Sequence, residues 1–496
     1  MTRSLVIGAG LGGIATALRL RAKGDDVEVL ERLSSPGGRA QVFEKGGFKY
    51  DAGPTVITAP FLFDELFSLF GEKRENYLEF RPLDLWYRFY FDATGDTFDY
   101  TASIKKTKQE IARFKPEDAD GYDRLLETSK AIFDVGFSKL ADKPFIKFTS
   151  MLAQIPSLLK LKSYLSVAQL VNSHLKHPLI RQAFSIHPLL VGGNPFDTTS
   201  IYALIHYLER EWGVFFCMGG TGKLIRELES LMIRQNIKIR YNTDIKQILV
   251  KKGRSTGVLT SSGEIIHSDR IVCNADSPTV YDELLSAQPR RRKKVIPDKF
   301  TRYSMGLYVL FFGTRKKYET VAHHTIWMGK RYRTLLSDIF NAKILTDDFS
   351  LYLHRPTATD PTFAPDGCDS FYVLCPVPNL QGNVNWDVQG PALQTRIITA
   401  LNRTIMPELK ETIVDPFWMS PREFKTHYRA KHGAGFSIAP IFAQSAWFRY
   451  HNKDPHIDNL FLTGAGTHPG AGMPGVLCSA KVVENLIAEK QLDQTK

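Results

Sequence analysis

Apolar and polar positions follow a defined order at the start of the chain. Leu5–Ile7 is a short apolar run that predicts a strand, and glycines at 8, 10 and 13 follow it at once. Residues 14–23 then place Ile14, Ala17, Leu18 and Arg21 at helical spacing, and Gly24 can stop that helix. "VEVL" at 27–30 predicts the next strand, which ends on Glu31. Further along, "GGTGKLIRELESLMIRQNIKIRYNTDIKQILV" (219–250) predicts a helix followed by strand-like runs, and "RIVCNADSPTVYDELL" (270–285) a further strand and helix.

A different pattern runs between Asp142 and Asp197, where no acidic residue occurs. Lys143, Lys147, Lys160, Lys162, Lys176 and Arg181 are set among Phe145, Phe148, Met151, Leu152, Ile155, Leu158, Leu159 and Leu161, and Pro156 divides the stretch into short helices. Apolar faces whose only charge is basic suit helices lying in a membrane interface. Core helices with a basic solvent side would give the same pattern.

The strand–glycine–helix–strand order gives the first motif its chemistry. Gly8 permits a tight turn, Gly10 lets a pyrophosphate approach the backbone, and Gly13 lets the helix pack on its strand. The helix N-terminus faces the phosphates, and Glu31 accepts from a ribose hydroxyl. An acid at that position favours NAD or FAD over NADP, whose 2′-phosphate it would repel. Other glycine clusters fail as independent phosphate sites. "GGTGKL" (219–224) has Cys217 where a P-loop needs its first glycine and Leu224 where it needs Ser or Thr. "GAGMPG" (470–475) has the right spacing, but no strand immediately precedes it and too little chain follows for a βαβ unit. One dinucleotide site is therefore expected, with no second site for a nicotinamide partner.

Composition narrows the class. The 496 residues suffice for roughly two to four domain-sized units, and 43% hydrophobic with 23% charged residues is ordinary for a globular protein. The five cysteines show no CxxC pairing, which points to free thiols in a reducing compartment and not to a disulfide framework or a zinc site. No metal is expected. Net charge is +12, with "RRRKK" at 290–294, either a solvated loop or a contact with an anionic surface. No nucleic-acid module accompanies it, so a membrane is the better match of the two anionic partners. Glycines interrupt the apolar N-terminus, and no run approaches the roughly 18 apolar residues of a spanning helix. An exported or transmembrane protein is not expected.

After Glu31 come "RLSSPGGRA" (32–40) and "GFKYDAGPTVIT" (47–58), and near the end "NLFLTGAGTHPGAGMPGV" (459–476). These resemble the amine oxidase and carotenoid desaturase flavoprotein superfamily. "LLVGGNPFDTTSIYALIHYLEREWGV" (189–214), "AHHTIWMGKRYR" (322–333), "FSLYLHRPTATD" (349–360) and "QSAWFRYHNKD" (444–454) narrow the resemblance to the bacterial-type phytoene desaturases, over nearly the whole chain.

That resemblance implies an α/β fold: a discontinuous Rossmann-like FAD-binding domain (1–90, 215–300 and 440–496), a helical membrane-associated substrate region (91–214) and a mixed-sheet substrate domain (301–439). It implies FAD contacts at Arg32, Gly38 and Arg39 near the pyrophosphate, and at Asp51, Gly53, Pro54 and Thr55 near the flavin ring. Ile245 would touch adenine. Gly464 and Ala465 would meet the phosphate or ribityl portion, with Gly472, Met473, Gly475 and Val476 under the isoalloxazine. Asn274–Asp276 is read as structural, with proximity to the cofactor as the alternative.

The implied reaction removes two hydrogens from adjacent saturated carbons of 15-cis-phytoene, four times over to lycopene, in carotenoid biosynthesis. FAD would accept the hydride, and oxygen or a membrane quinone would reoxidise it. Phytoene has no polar handle, so a long apolar tunnel must orient it. The enzyme would sit peripherally on the cytoplasmic side of the cell membrane. A three-step, neurosporene-forming desaturase, a desaturase of the thirty-carbon diapophytoene, a carotenoid cis–trans isomerase and a non-catalytic prenyl-binding protein stay open as alternatives. His323, His324 and His468 are candidates for proton or flavin chemistry, but no acid or base is assigned, and oligomeric state is left open.

Overall fold

The computed structural model describes residues 1–146, 148–287 and 300–494. Arg3–Ile7 and Asp26–Leu30 are parallel strands joined by the helix Leu11–Ala22, as the opening pattern predicts. They form the middle of a five-stranded parallel sheet in the order Leu460–Leu462, Arg270–Cys273, Arg3–Ile7, Asp26–Leu30, Lys238–Arg240. Both faces of this sheet are covered, which is why its strands read as unbroken apolar runs. Val6 points into a core shared with Ile14, Leu18, Leu228 and Val483, from the helices Leu11–Ala22, Gly220–Arg234 and Met473–Gln494. Leu5 and Ile7 point the other way, against Ile248 and Val258 of a three-stranded antiparallel sheet.

The second large sheet has seven strands, in the order Ile413–Met419, Gly306–Thr314, Asp369–Val377, Leu351–His354, His324–Met328, Leu85–Phe91, Thr97–Thr101. All its pairings are antiparallel except that of Leu85–Phe91 with His324–Met328. This moves one expected boundary. The resemblance implies a first dinucleotide-domain segment ending at residue 90, yet "LWYRFYF" (85–91) runs in the mixed sheet, with Trp86, Phe89 and Phe91 buried. Thr97–Thr101 likewise makes 91–214 less than wholly helical.

The acid-free stretch folds as short helices, including Phe148–Leu152 and Ile155–Lys160. Pro156 lies in the first turn of the second, where its missing N–H costs no intrahelical bond. Lys147 and the 290–294 basic run lie outside the described residues. Among the described residues, no helix is long and apolar enough to cross a membrane.

Candidate active site

The first glycine loop turns at Gly8, whose φ is +93°. A Cβ on Gly13 would stand 2.0 Å from the Gly8 carbonyl oxygen, so glycine alone allows the helix to seat on its strand. Gly10 caps the helix Leu11–Ala22 in an extended conformation with no side-chain cap, which leaves the first-turn N–H groups for an anion. Glu31 is buried beside this turn. Its Oε2 accepts from the Ala9 N–H (2.6 Å) and its Oε1 from the Leu33 N–H (2.8 Å). Burial raises its pKa, against the pull of those two N–H groups. The backbone bonds fix the carboxylate while leaving lone pairs for a ribose.

The C-terminal glycine loop meets the first one at Asn274. Cβ atoms on Gly10, Gly12 and Gly464 would each fall within 2.7 Å of the Asn274 amide group. The Asn274 N–H donates to the Ile7 carbonyl (2.8 Å), anchoring this residue at the end of the central strand. The loop is held from beneath by Arg449, fully buried, whose guanidinium donates to the carbonyls of Ala465 (2.6 Å) and Thr467 (3.0 Å).

These loops line one end of a cavity of about 600 Å³. Gly8, Gly10, Glu31, Arg32, Gly38, Arg39, Gly53, Pro54, Thr55, Ile245, Gly464, Ala465, Gly472, Met473, Gly475 and Val476 all lie on its wall. Gly13 lies one layer behind, packed on Gly8. Asp51 departs from expectation. It ends the strand Phe48–Asp51 pointing away from the cavity, and its Oδ1 accepts from the Thr221 N–H (2.9 Å) at the start of the helix Gly220–Arg234. A carboxylate at a helix N-terminus is favourably placed there. Burial pushes its pKa up to about 7, partly offset by that N–H.

Sequence reasoning missed His427, Tyr428 and Arg429 on this wall because nothing local marks them. Arg32 reaches the carbonyls of Thr426 (2.7 Å) and His427, drawing the C-terminal end of the helix Pro421–Tyr428 to the cavity. Arg429 pairs with Asp244 (2.9 Å) and donates to the Ile245 carbonyl (3.2 Å), closing the same rim.

Beyond the glycine loops the chamber continues between the mixed sheet and the helices. Its wall there is mostly aliphatic and aromatic: Leu189, Leu204, Ile205, Leu307, Ile326 and Leu336. Two polar groupings interrupt it. Glu209 accepts from Tyr87 Oη (2.8 Å) and meets His187 Nε2 (3.1 Å), all three buried. Tyr352 Oη bridges Thr55 Oγ1 (2.6 Å) and His324 Nδ1 (2.8 Å). His468 also lines the wall, where burial holds its pKa down at about 4, so its ring is neutral. Its Nε2 contacts the Leu140 carbonyl (3.1 Å). His323 and His324 are buried behind the wall instead of facing into it, and burial holds both well below the usual histidine range.

A phosphate-ready helix end, a fixed acid for a ribose and an adjoining apolar chamber form a cradle for a long dinucleotide and an apolar substrate. The family model for flavin-containing amine oxidoreductases matches residues 11–483. The chain belongs to that family. Flavin-containing amine oxidoreductases use FAD, and the cradle fits it: FAD is the cofactor here. Among individual proteins, the chain is 45% identical to a phytoene desaturase (lycopene-forming) of Pseudescherichia vulneris, covering 99% of each. It is 44% identical to the lycopene-forming enzyme of Pantoea ananas, again over 99% of each. A neurosporene-forming phytoene desaturase of Cereibacter sphaeroides is 40% identical, over 98% of this chain and 94% of that one. The fold is also that of solved structures. Cyclohexylamine oxidase from Brevibacterium oxydans superposes with a TM-score of 0.63 at 16% identity, over 99% of both chains. An oxidoreductase from Methanosarcina mazei gives 0.64 at 16% identity, over 97% of this chain and all of that one.

Proposed function

We propose that this chain is an FAD-dependent phytoene desaturase that converts 15-cis-phytoene to lycopene in four rounds. The observation that carries the reading is end-to-end likeness, at 45% identity, to a lycopene-forming enzyme. The continuous apolar chamber against the flavin cradle agrees with it, because a hydrocarbon can be oriented only by shape.

FAD, when bound, would supply the acceptor for a hydride from a saturated carbon of the substrate. The chain's own residues bind and orient. The glycine loops and Glu31 fix the cofactor, and the aliphatic wall excludes water and aligns the polyene. Glu209, held by Tyr87 and His187, places a fixed polar group on the otherwise apolar chamber wall. A quinone or oxygen takes the electrons in turn.

The same reading includes a peripheral place on the cytoplasmic face of the cell membrane. Phe148, Leu152, Ile155, Leu159, Tyr164 and Phe442 are large apolar side chains exposed to solvent. Their neighbours Met151, Leu158 and Leu161 line the chamber, as Phe442 itself does, and Lys143, Lys160 and Lys162 are exposed around them. An apolar patch with a basic border suits an anionic lipid surface, and here it surrounds an entrance.

The test is anaerobic. FAD-loaded protein is mixed with phytoene in liposomes, flavin absorbance is followed, and products are resolved by mass. Bleaching with products lighter by up to eight hydrogens supports the reading, and an end at six hydrogens would mean a neurosporene-forming enzyme. Bound flavin with no bleaching and no hydrogen loss overturns it.

A further inference from the structure

Behind the cavity wall, three strands bring imidazoles together with Asp51. His324 begins the strand His324–Met328 and pairs directly with His354, the last residue of Leu351–His354. His323 precedes His324, and Asp51 ends the strand Phe48–Asp51. All four side chains are buried, none more than 5% exposed.

Their hydrogen bonds leave a consistent remainder. His323 Nδ1 is engaged by Thr359 Oγ1 (2.7 Å) and His324 Nδ1 by Tyr352 Oη (2.8 Å), which leaves each Nε2 without a partner. Both nitrogens of His354 and Oδ2 of Asp51 are likewise unpartnered. The three histidines offer ligand atoms within 4.8 Å of one another, and His354 Nε2 stands 3.7 Å from Asp51 Oδ2. Phe216 covers the group, its ring centroid 4.7 Å from that of His323.

A buried polar atom left unpaired loses its hydration without compensation, and a concentration of them at one point calls for a shared partner. A ring held by its far nitrogen, with the near one free, is the arrangement of a metal-ligating histidine. Three imidazoles and one carboxylate make a four-coordinate set of the kind zinc accepts.

We propose that His323, His324, His354 and Asp51 form a buried site for one divalent transition-metal ion of the zinc type. Bonds of about 2.0–2.1 Å draw the rings inward around the ion, and Asp51 supplies the negative charge. The ion ties the strand leading to Gly53–Thr55 on the cofactor side to two strands of the mixed sheet. Through His324 and Tyr352 it fixes the hydroxyl of Thr55 on the cavity wall. The expectation of no metal came from spacing along the chain, and these ligands are joined only by strand pairing.

The test uses the untagged full chain, produced in minimal medium supplemented with zinc or with cobalt and never passed over a metal-affinity resin. The expected result is one metal ion per chain by elemental analysis, with the cobalt protein showing the intense visible bands of four-coordinate cobalt. His354→Gln and Asp51→Asn should lose the metal while flavin content reports whether they fold. Wild-type protein with only trace metal and no cobalt bands overturns the proposal and leaves water as the shared partner. Metal retained in a flavin-loaded His354→Gln variant overturns it equally. The wild-type metal content decides the matter even if neither variant folds.

Discussion

Gly464 lies against Asn274 so closely that a methyl group on its Cα would stand 2.7 Å from Asn274 Oδ1. The φ of Gly464 is +105°, a conformation that a residue with a side chain adopts only under strain. Gly464→Ala is therefore expected to cost about 1–3 kcal/mol in backbone strain alone and to abolish FAD retention. Flavin content and thermal unfolding of the purified variant check this. Adding Asn274→Ala should relieve the contact and not the strain, giving partial recovery of stability.

Glu31→Gln keeps the shape of the side chain but turns an amide NH₂ toward one of the N–H groups of Ala9 and Leu33. A buried donor left unsatisfied costs about 1–3 kcal/mol, so FAD affinity should fall roughly tenfold or more. Titration of the apoprotein with FAD, read by quenching of flavin fluorescence, measures the change.

His468 gives a pH dependence of known sign. Its folded pKa of about 4 lies below the ordinary 6.5, so the fold favours the neutral ring. Its contribution is complete above pH 6.5 and is lost as pH falls toward 4, by roughly 3 kcal/mol in all. His468→Phe should show a shallower loss of stability across that window in denaturant unfolding, whatever its stability at neutral pH. An identical slope in both proteins would mean that His468 charges freely in the fold.

The entrance patch predicts a separation of binding from chemistry. Leu152→Glu with Leu159→Glu removes two exposed leucines, each worth up to about 1.5–3 kcal/mol when buried in lipid. Flotation with anionic liposomes should show at least a tenfold loss of bound protein. Flavin content and turnover of detergent-dispersed phytoene should change little.

The legible part of the molecule was the part written locally. The first turn, its helix and Glu31 carry their chemistry within one βαβ unit, so spacing alone placed them. The C-terminal loop and the 32–55 segment were placed through resemblance, since nothing in "GAGTHPG" says which strand it lies beside. Asp51 was placed with that segment, and a resemblance to a motif does not tell which face of the strand each of its side chains takes. Arg429 and His354 were not found, and Asn274, His323 and His324 were named without their partners. Their partners come from strands and loops far away in sequence, and only the sheet registers bring them together.

The meeting of two glycine loops also sets an order of events during synthesis. Leu460–Leu462 is the edge strand that brings Gly464 to Asn274, and it emerges from the ribosome more than four hundred residues after Gly8. Until then the helix Leu11–Ala22 presents its N-terminus without the floor that Arg449 secures. Cofactor capture thus belongs to the last moments of translation or to the released chain, and a stalled or C-terminally clipped product would be left colourless.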